Sequence, residues 1–260
     1  MNTLRYVIEL LRLNVDALRV RPLRALGAIV MMFGNNLVFF LIWVIFFDRF
    51  STLGGWGKAD IALMFGIVAW SFGLAVFLAG GVRYIAQTIV DGGLDLHLGR
   101  PCHPLPTLLL ARSEASGLGD LASALVFWLW LGGRSPAELP LIVLMASAAA
   151  VVICATVIAI QCLVFWMPTA LALCEELFNT LMLVTCYPQH PFALPVRIVL
   201  FTVFPAAFAA FVPAEVVRHP SVGGVLLMLA AALVYSALAV AIFDRGLRRY
   251  RSGNRLLELR

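Results

Sequence analysis

The sequence predicts an all-α integral membrane protein of six transmembrane helices, with an amphipathic helix before the first span and a short re-entrant segment before the last. Three observations carry that prediction. The 260 residues are 62% hydrophobic and 13% charged, with a mean hydropathy of +0.97, whereas a soluble domain carries about 25% charged residues. There is too little polar surface to cover a water-facing globule. The apolar residues also gather into runs near the ~20 that a helix needs to cross a bilayer. Finally, the nineteen basic residues, Lys58 and otherwise arginines, cluster at the chain ends and in one loop, as they do where charge sets membrane orientation.

Residues 1–23 open the chain as an interfacial helix. Leu4, Val7, Ile8, Leu11, Val15 and Leu18 recur at spacings of three and four, while Arg5, Glu9, Arg12, Asp16 and Arg19 mark another face. That pattern lets a helix lie in the membrane surface with its arginines toward lipid phosphates. No cleavable leader is expected, because charge is spread through the first twenty residues.

The transmembrane domain is read as residues 24–243. Its first span, about 24–47, carries Asn35 and Asn36, amides that seek a partner on a neighbouring helix. A second span follows near 61–81. Residues 82–116 form the least apolar internal stretch, with Arg83, Asp91, Asp95, Arg100, Arg112 and Glu114. The third span is about 117–131, and the fourth about 141–166, with Ala146, Ala150 and Cys154 as a small-residue edge for close packing. A fifth, about 169–186, holds Glu175 and Glu176, with Asn179 one turn on. Tyr187-Pro188 then breaks the helix. The apolar run 198–213, interrupted by Pro205 and bounded by Pro213, is short for a crossing and suits a re-entrant segment. A sixth span, about 222–243, leads into the basic tail 244–260.

With six spans and both termini inside, fourteen basic residues fall on the inner side and five on the outer, in agreement with the positive-inside rule. A seventh crossing would put the six arginines of the tail outside. The expected location is therefore the plasma or inner membrane, with both termini cytoplasmic.

Several chemistries are excluded or unsupported. The formal charge of +5 is placed for membrane orientation, so no nucleic-acid partner is expected. A phosphate-binding loop ends in Lys then Ser or Thr, but Lys58, the only lysine, precedes Ala59. The chain is thus not expected to be an enzyme or to bind ATP. The four histidines (His97, His103, His190, His219) lie in loops without zinc-ligand spacing. The five cysteines are expected to be unpaired thiols. Glu175 and Glu176 either line a substrate path with Asn35, Asn36 and Asn179, or sit near the interface.

Residues 89–105 read IVDGGLDLHLGRPCHPL. They resemble the I-x-x-G-x-L-D-x-x-L-x-R-P-x-x-P-L signature of permeases in the ABC-2 type transporter superfamily, in the branch of small six-span permeases usually encoded beside a separate ATPase. Ile89, Gly92, Leu94, Asp95, Leu98, Arg100, Pro101, Pro104 and Leu105 match. Two further pieces agree: Tyr187-Pro188 ahead of Pro205 and Pro213-Ala214, and Phe243-x-x-Gly-Leu-x-x-Tyr-x-Ser-Gly after the last span. Gly93, His97 and Gly99 depart from the pattern. The resemblance implies a cytoplasmic coupling loop around Gly92, Leu94, Asp95, Leu98, Arg100 and Pro101. It also implies two ATPase chains carrying ATP and Mg, a second permease chain, identical or homologous, and export of a substrate. The outer re-entrant segment would include Tyr187, Pro188, Pro205 and Pro213. A scaffold that moves nothing is the alternative, and an intramembrane enzyme using Glu175 or Glu176 a further one.

Overall fold

Large apolar side chains point outward along two of the long helices, Pro22–Arg49 and Val222–Leu247. Met31 is 75% exposed and Leu233 72%, which only a hydrocarbon surround or a partner makes favourable. The computed structural model describes residues 3–100, 102–186 and 205–250. Tyr187, Pro188, Pro101, the first part of the segment 198–213 and most of the basic tail lie outside the described residues.

Helix α1 (Thr3–Val20) ends at Arg21, and Pro22, set at the first position of a helix, starts α2 (Pro22–Arg49). Ile8 on the apolar face of α1, and Leu13 on another side, are both exposed. α3 (Lys58–Ala79) begins where the Asp60 carboxylate accepts the Gly57 N–H at 3.1 Å. It runs on through a 3-10 stretch (Gly80–Tyr84) into α4 (Ile85–Val90). The sequence places the end of this span at residue 81, because Gly80-Gly81 and Arg83 look like a break; the helical path in fact continues nine residues further.

Two short helices follow, α5 (Asp95–Leu98) and α6 (Pro104–Leu109). α7 (Ser116–Val126) closes in a π turn (Phe127–Leu131). α8 (Leu139–Gln161), α9 (Leu171–Thr185), α10 (Val212–Arg218) and α11 (Val222–Leu247) complete the described chain. Pro213 does not bound the apolar segment; the helical path runs from a π stretch (Ala207–Phe211) through Pro213 to Arg218. Four of these stretches are long and apolar enough to cross a membrane, and residues Ser116–Leu131 form a shorter apolar helix. The described cysteines are free thiols.

The helices pack in the order α2, α7, α3, α8, α11, with α3 and α8 innermost. Glycines set the closest approach. A Cβ on Gly73 would lie 2.8 Å from the Gly117 carbonyl oxygen, and a Cβ on Gly117 2.6 Å from that of Gly73. The α3 and α7 backbones therefore touch. Polar groups fasten the same stack: the Ser71 hydroxyl reaches the Ala146 carbonyl at 2.9 Å, and the Trp128 indole donates to the Leu63 carbonyl at 3.3 Å.

Contacts define two ends. The near end holds α1, α5, α6 and Tyr250. At the far end, Asp60 accepts from Arg218 Nε at 2.9 Å and from Arg134 at 3.4 Å. Arg218 also donates to Glu215 at 2.8 Å and lies 4.7 Å from the Trp56 ring centroid. Trp56, buried, stacks on Phe211. Replacing Arg218 by Ala removes two ion pairs and a cation–π contact from a half-buried cluster. The expected cost is about 2–3 kcal/mol, read as a lower thermal midpoint in detergent, with Arg218→Lys retaining part of it.

Candidate functional site

The loop at the near end is a rigid platform built from short-range constraints. Gly92 adopts φ +75°, a left-handed conformation that favours glycine, and it turns the chain out of α4. Leu94 then plunges to zero exposure and anchors α5 from beneath. His97 Nδ1 sits 2.7 Å from the Thr107 hydroxyl, which itself donates to the Pro104 carbonyl at 2.7 Å. That hydroxyl has one proton, so His97 Nδ1–H is the donor and ties α5 to α6. On its other side α6 is pressed against the 3-10 stretch, where a Cβ on Gly81 would collide with the Leu108 carbonyl.

His103 does two jobs. Its Nδ1 accepts the Leu105 N–H at 3.3 Å, capping α6, which leaves Nε2–H to donate to Asp244 at 2.9 Å. Asp244 lies near the end of α11, so the loop is bonded to the last span. There the third sequence motif gains a physical meaning. Phe243 and Tyr250 pack their rings on Phe165 at the end of α8. A Cβ on Gly246 would overlap that same Phe165 ring. The two histidines, read from the sequence only as loop residues without zinc-ligand spacing, are fastening points; the signal available in the sequence was their position beside the prolines of the loop.

Burial, and secondarily the Arg100 guanidinium, hold the His97 pKa below the ordinary imidazole value of 6.5. The unfolded chain therefore binds this proton more readily than the folded one. His97 contributes stability in full above that ordinary value, and the contribution falls away as pH drops through the folded pKa. Between pH 7.5 and 5.5, wild type is expected to lose more thermal stability than His97→Gln, as measured by parallel melts.

What the platform presents outward is apolar. Leu96 is 75% exposed, and Leu98 and Val90 are each 43% exposed. Asp95 and Arg100 flank them. Leu94 and Leu98, paired in the sequence motif, stand one helical turn apart, the first buried and the second partly exposed, and Leu96, outside the motif, forms the tip.

Between α2, α3, α7, α8 and α9 lies a cavity of about 250 Å³, lined among others by Asn35, Asn36, Asp120, Arg83 and Glu114. Asn36 spends both amide protons on α7, one on Asp120 at 2.7 Å and one on Ser123 at 2.9 Å. Ser123 returns its own proton to the Asp120 carbonyl at 2.8 Å. Asp120 is buried. Sequence reasoning finds Asn35 and Asn36 but misses Asp120, although it is the one acidic residue inside the third apolar run. At the cavity mouth, Arg83 lies 4.6 Å from the Phe178 ring centroid. Glu175, Glu176 and Asn179 are exposed on other faces of α9 and do not line the cavity.

Residues 33–253 match the family described as ABC-2 family transporter protein. The chain belongs to that family. The match runs from within α2 to beyond α11 and takes in the loop platform and the Phe165 cluster. No curated protein and no solved structure matches the chain. Membership makes this ABC-2 chain a membrane-embedded transporter subunit with a permease role. In this family such subunits are typically non-catalytic and normally work with an ABC ATPase.

Proposed function

We propose that this ABC-2 chain is the membrane path of an ATP-driven exporter, energised by two separate ATPase chains that dock on the loop platform. The observation that carries the reading is the tip of α5: Leu96 is 75% exposed on a helix whose neighbours Leu94 and His97 are pinned. An apolar, flanked and rigid projection on an otherwise polar loop fits a protein-binding groove. ATP and Mg belong to the partner. A second permease chain, identical or homologous, pairs with this one, and the substrate passes between them.

Six crossings, with both termini on the cytoplasmic side of the inner membrane, accord with where the chain stands at each end. α9 starts beside α4 and the end of α8, whereas Arg218 of α10 meets Asp60 at the far end. Residues 198–213 are then a re-entrant segment on the outer side, with α10 its returning limb. Asn35 and Asn36 stand on α2 at the edge of the path, with Asn36 held in place by the buried Asp120. Glu175, Glu176 and Asn179 face the second permease chain.

The test is co-purification of the ATPase encoded with this chain. Leu96→Glu is expected to abolish co-purification and transport while leaving the melting profile of the membrane subunit unchanged. Asp95→Ala and Arg100→Ala should weaken both. Unaltered binding and turnover in all three variants rejects the docking assignment.

A further inference from the structure

We propose that the groove between α3, α6, α8 and α11 is a binding site for one acyl chain of a membrane phospholipid. The groove measures about 530 Å³, within the usual range for ligand pockets. Leu78, Val151 and Val240 form its rim, each between 41% and 44% exposed, while Leu109 of α6 lines one end.

Its chemistry asks for an apolar occupant. Two of the polar side chains in the wall are engaged within the protein: Ser236 donates to the Ala232 carbonyl at 2.7 Å, and Ser147 accepts the Trp70 indole N–H at 3.3 Å. No charged residue lines it.

Its dimensions fit one leaflet. The α8 wall runs from Ser147 to Ile158, about 16 Å at 1.5 Å per residue, against about 15 Å for half of a hydrocarbon core. α6 shuts the near end, so the chain enters from the leaflet on that side. Asn14 of α1 bonds the Leu110 carbonyl at 2.8 Å, one residue beyond Leu109. That contact holds a helix bearing Arg12 and Arg19 beside the closed end, where a phosphate headgroup is accommodated. A seated acyl chain completes the packing of α6 on its membrane side.

The experiment uses the full chain in phosphatidylcholine nanodiscs doped with a phosphatidylglycerol that carries a diazirine on one acyl chain. Cross-links are mapped by mass spectrometry after illumination. Labelling at Leu78, Val151 and Val240 is expected to exceed that at Leu229 and Leu233, apolar positions elsewhere on α11, about tenfold, the ratio that about 1.4 kcal/mol of preference gives. Val151→Trp and Val240→Trp fill the groove from its rim and should remove the excess, whereas Leu233→Trp should not. Even labelling around α11 in the wild type, or an excess that survives both filling substitutions, overturns the proposal. If a filling variant fails to fold, the wild-type map alone decides.

Discussion

Gly117→Leu is expected to leave no folded protein to purify. The α3 and α7 backbones meet at Gly73 and Gly117, and even a Cβ on Gly117 would come within 2.6 Å of a carbonyl oxygen and 2.9 Å of the Phe77 backbone. Neither obstacle is the movable end of a side chain, so the helices must part. α7 is held against α2 in a similar way, since a Cβ on Gly119 would strike the Ile29 carbonyl. Separation on one side therefore disturbs both. Overpacking of this sort costs about 3 kcal/mol or more, and the readout is loss of the monodisperse peak in size exclusion. Gly34→Leu is the matched control, because nothing lies within 4 Å of its added carbon. It should be neutral or slightly stabilising through helix propensity.

Asn36→Leu comes next in expected effect, because it strands a carboxylate. Asp120 loses its 2.7 Å donor and Ser123 its 2.9 Å donor in one step. Removing one partner from a buried charged hydrogen bond costs about 3 kcal/mol. The informative comparison is the double variant Asn36→Leu with Asp120→Leu, which removes the stranded group. It should be more stable than Asn36→Leu alone, measured as thermal midpoints in one detergent. A double variant whose loss equals the sum of the singles would show that the pair is not coupled.

The long spans were legible in the residues because a run of about twenty apolar side chains has one stable arrangement in lipid. Residues 117–131, read as a span, correspond to the helix and π turn Ser116–Leu131. What was illegible depended on rotation and on distant partners. Nothing local says that Leu94 turns inward while Leu96 faces out, because a four-residue helix has too few turns to show a periodic face. Asn36 declared that it wanted a partner, but Asp120 is 84 residues away. Glu175 and Glu176 drew attention as acids in an apolar run, yet the α9 positions turned inward belong to Cys174, Phe178 and Leu181. Helix α6 escaped notice because Pro101, Pro104 and Pro106 read as loop, although Pro104 is well suited to begin a helix.

The far-end cluster has a consequence for how such a subunit behaves at rest. Arg218 alone joins Asp60 at the head of α3, Glu215 on its own helix, the Gly55 carbonyl at 3.3 Å and the Trp56 ring. Parting α10 from α3 breaks the bonds to Asp60 and the Gly55 carbonyl and the contact with the Trp56 ring, whereas the Arg218–Glu215 pair lies within α10 and travels with it. The far-end contacts thus latch α10 to the head of α3. Any motion that separates the two helices must supply the free energy of those three contacts together, and their re-forming returns it.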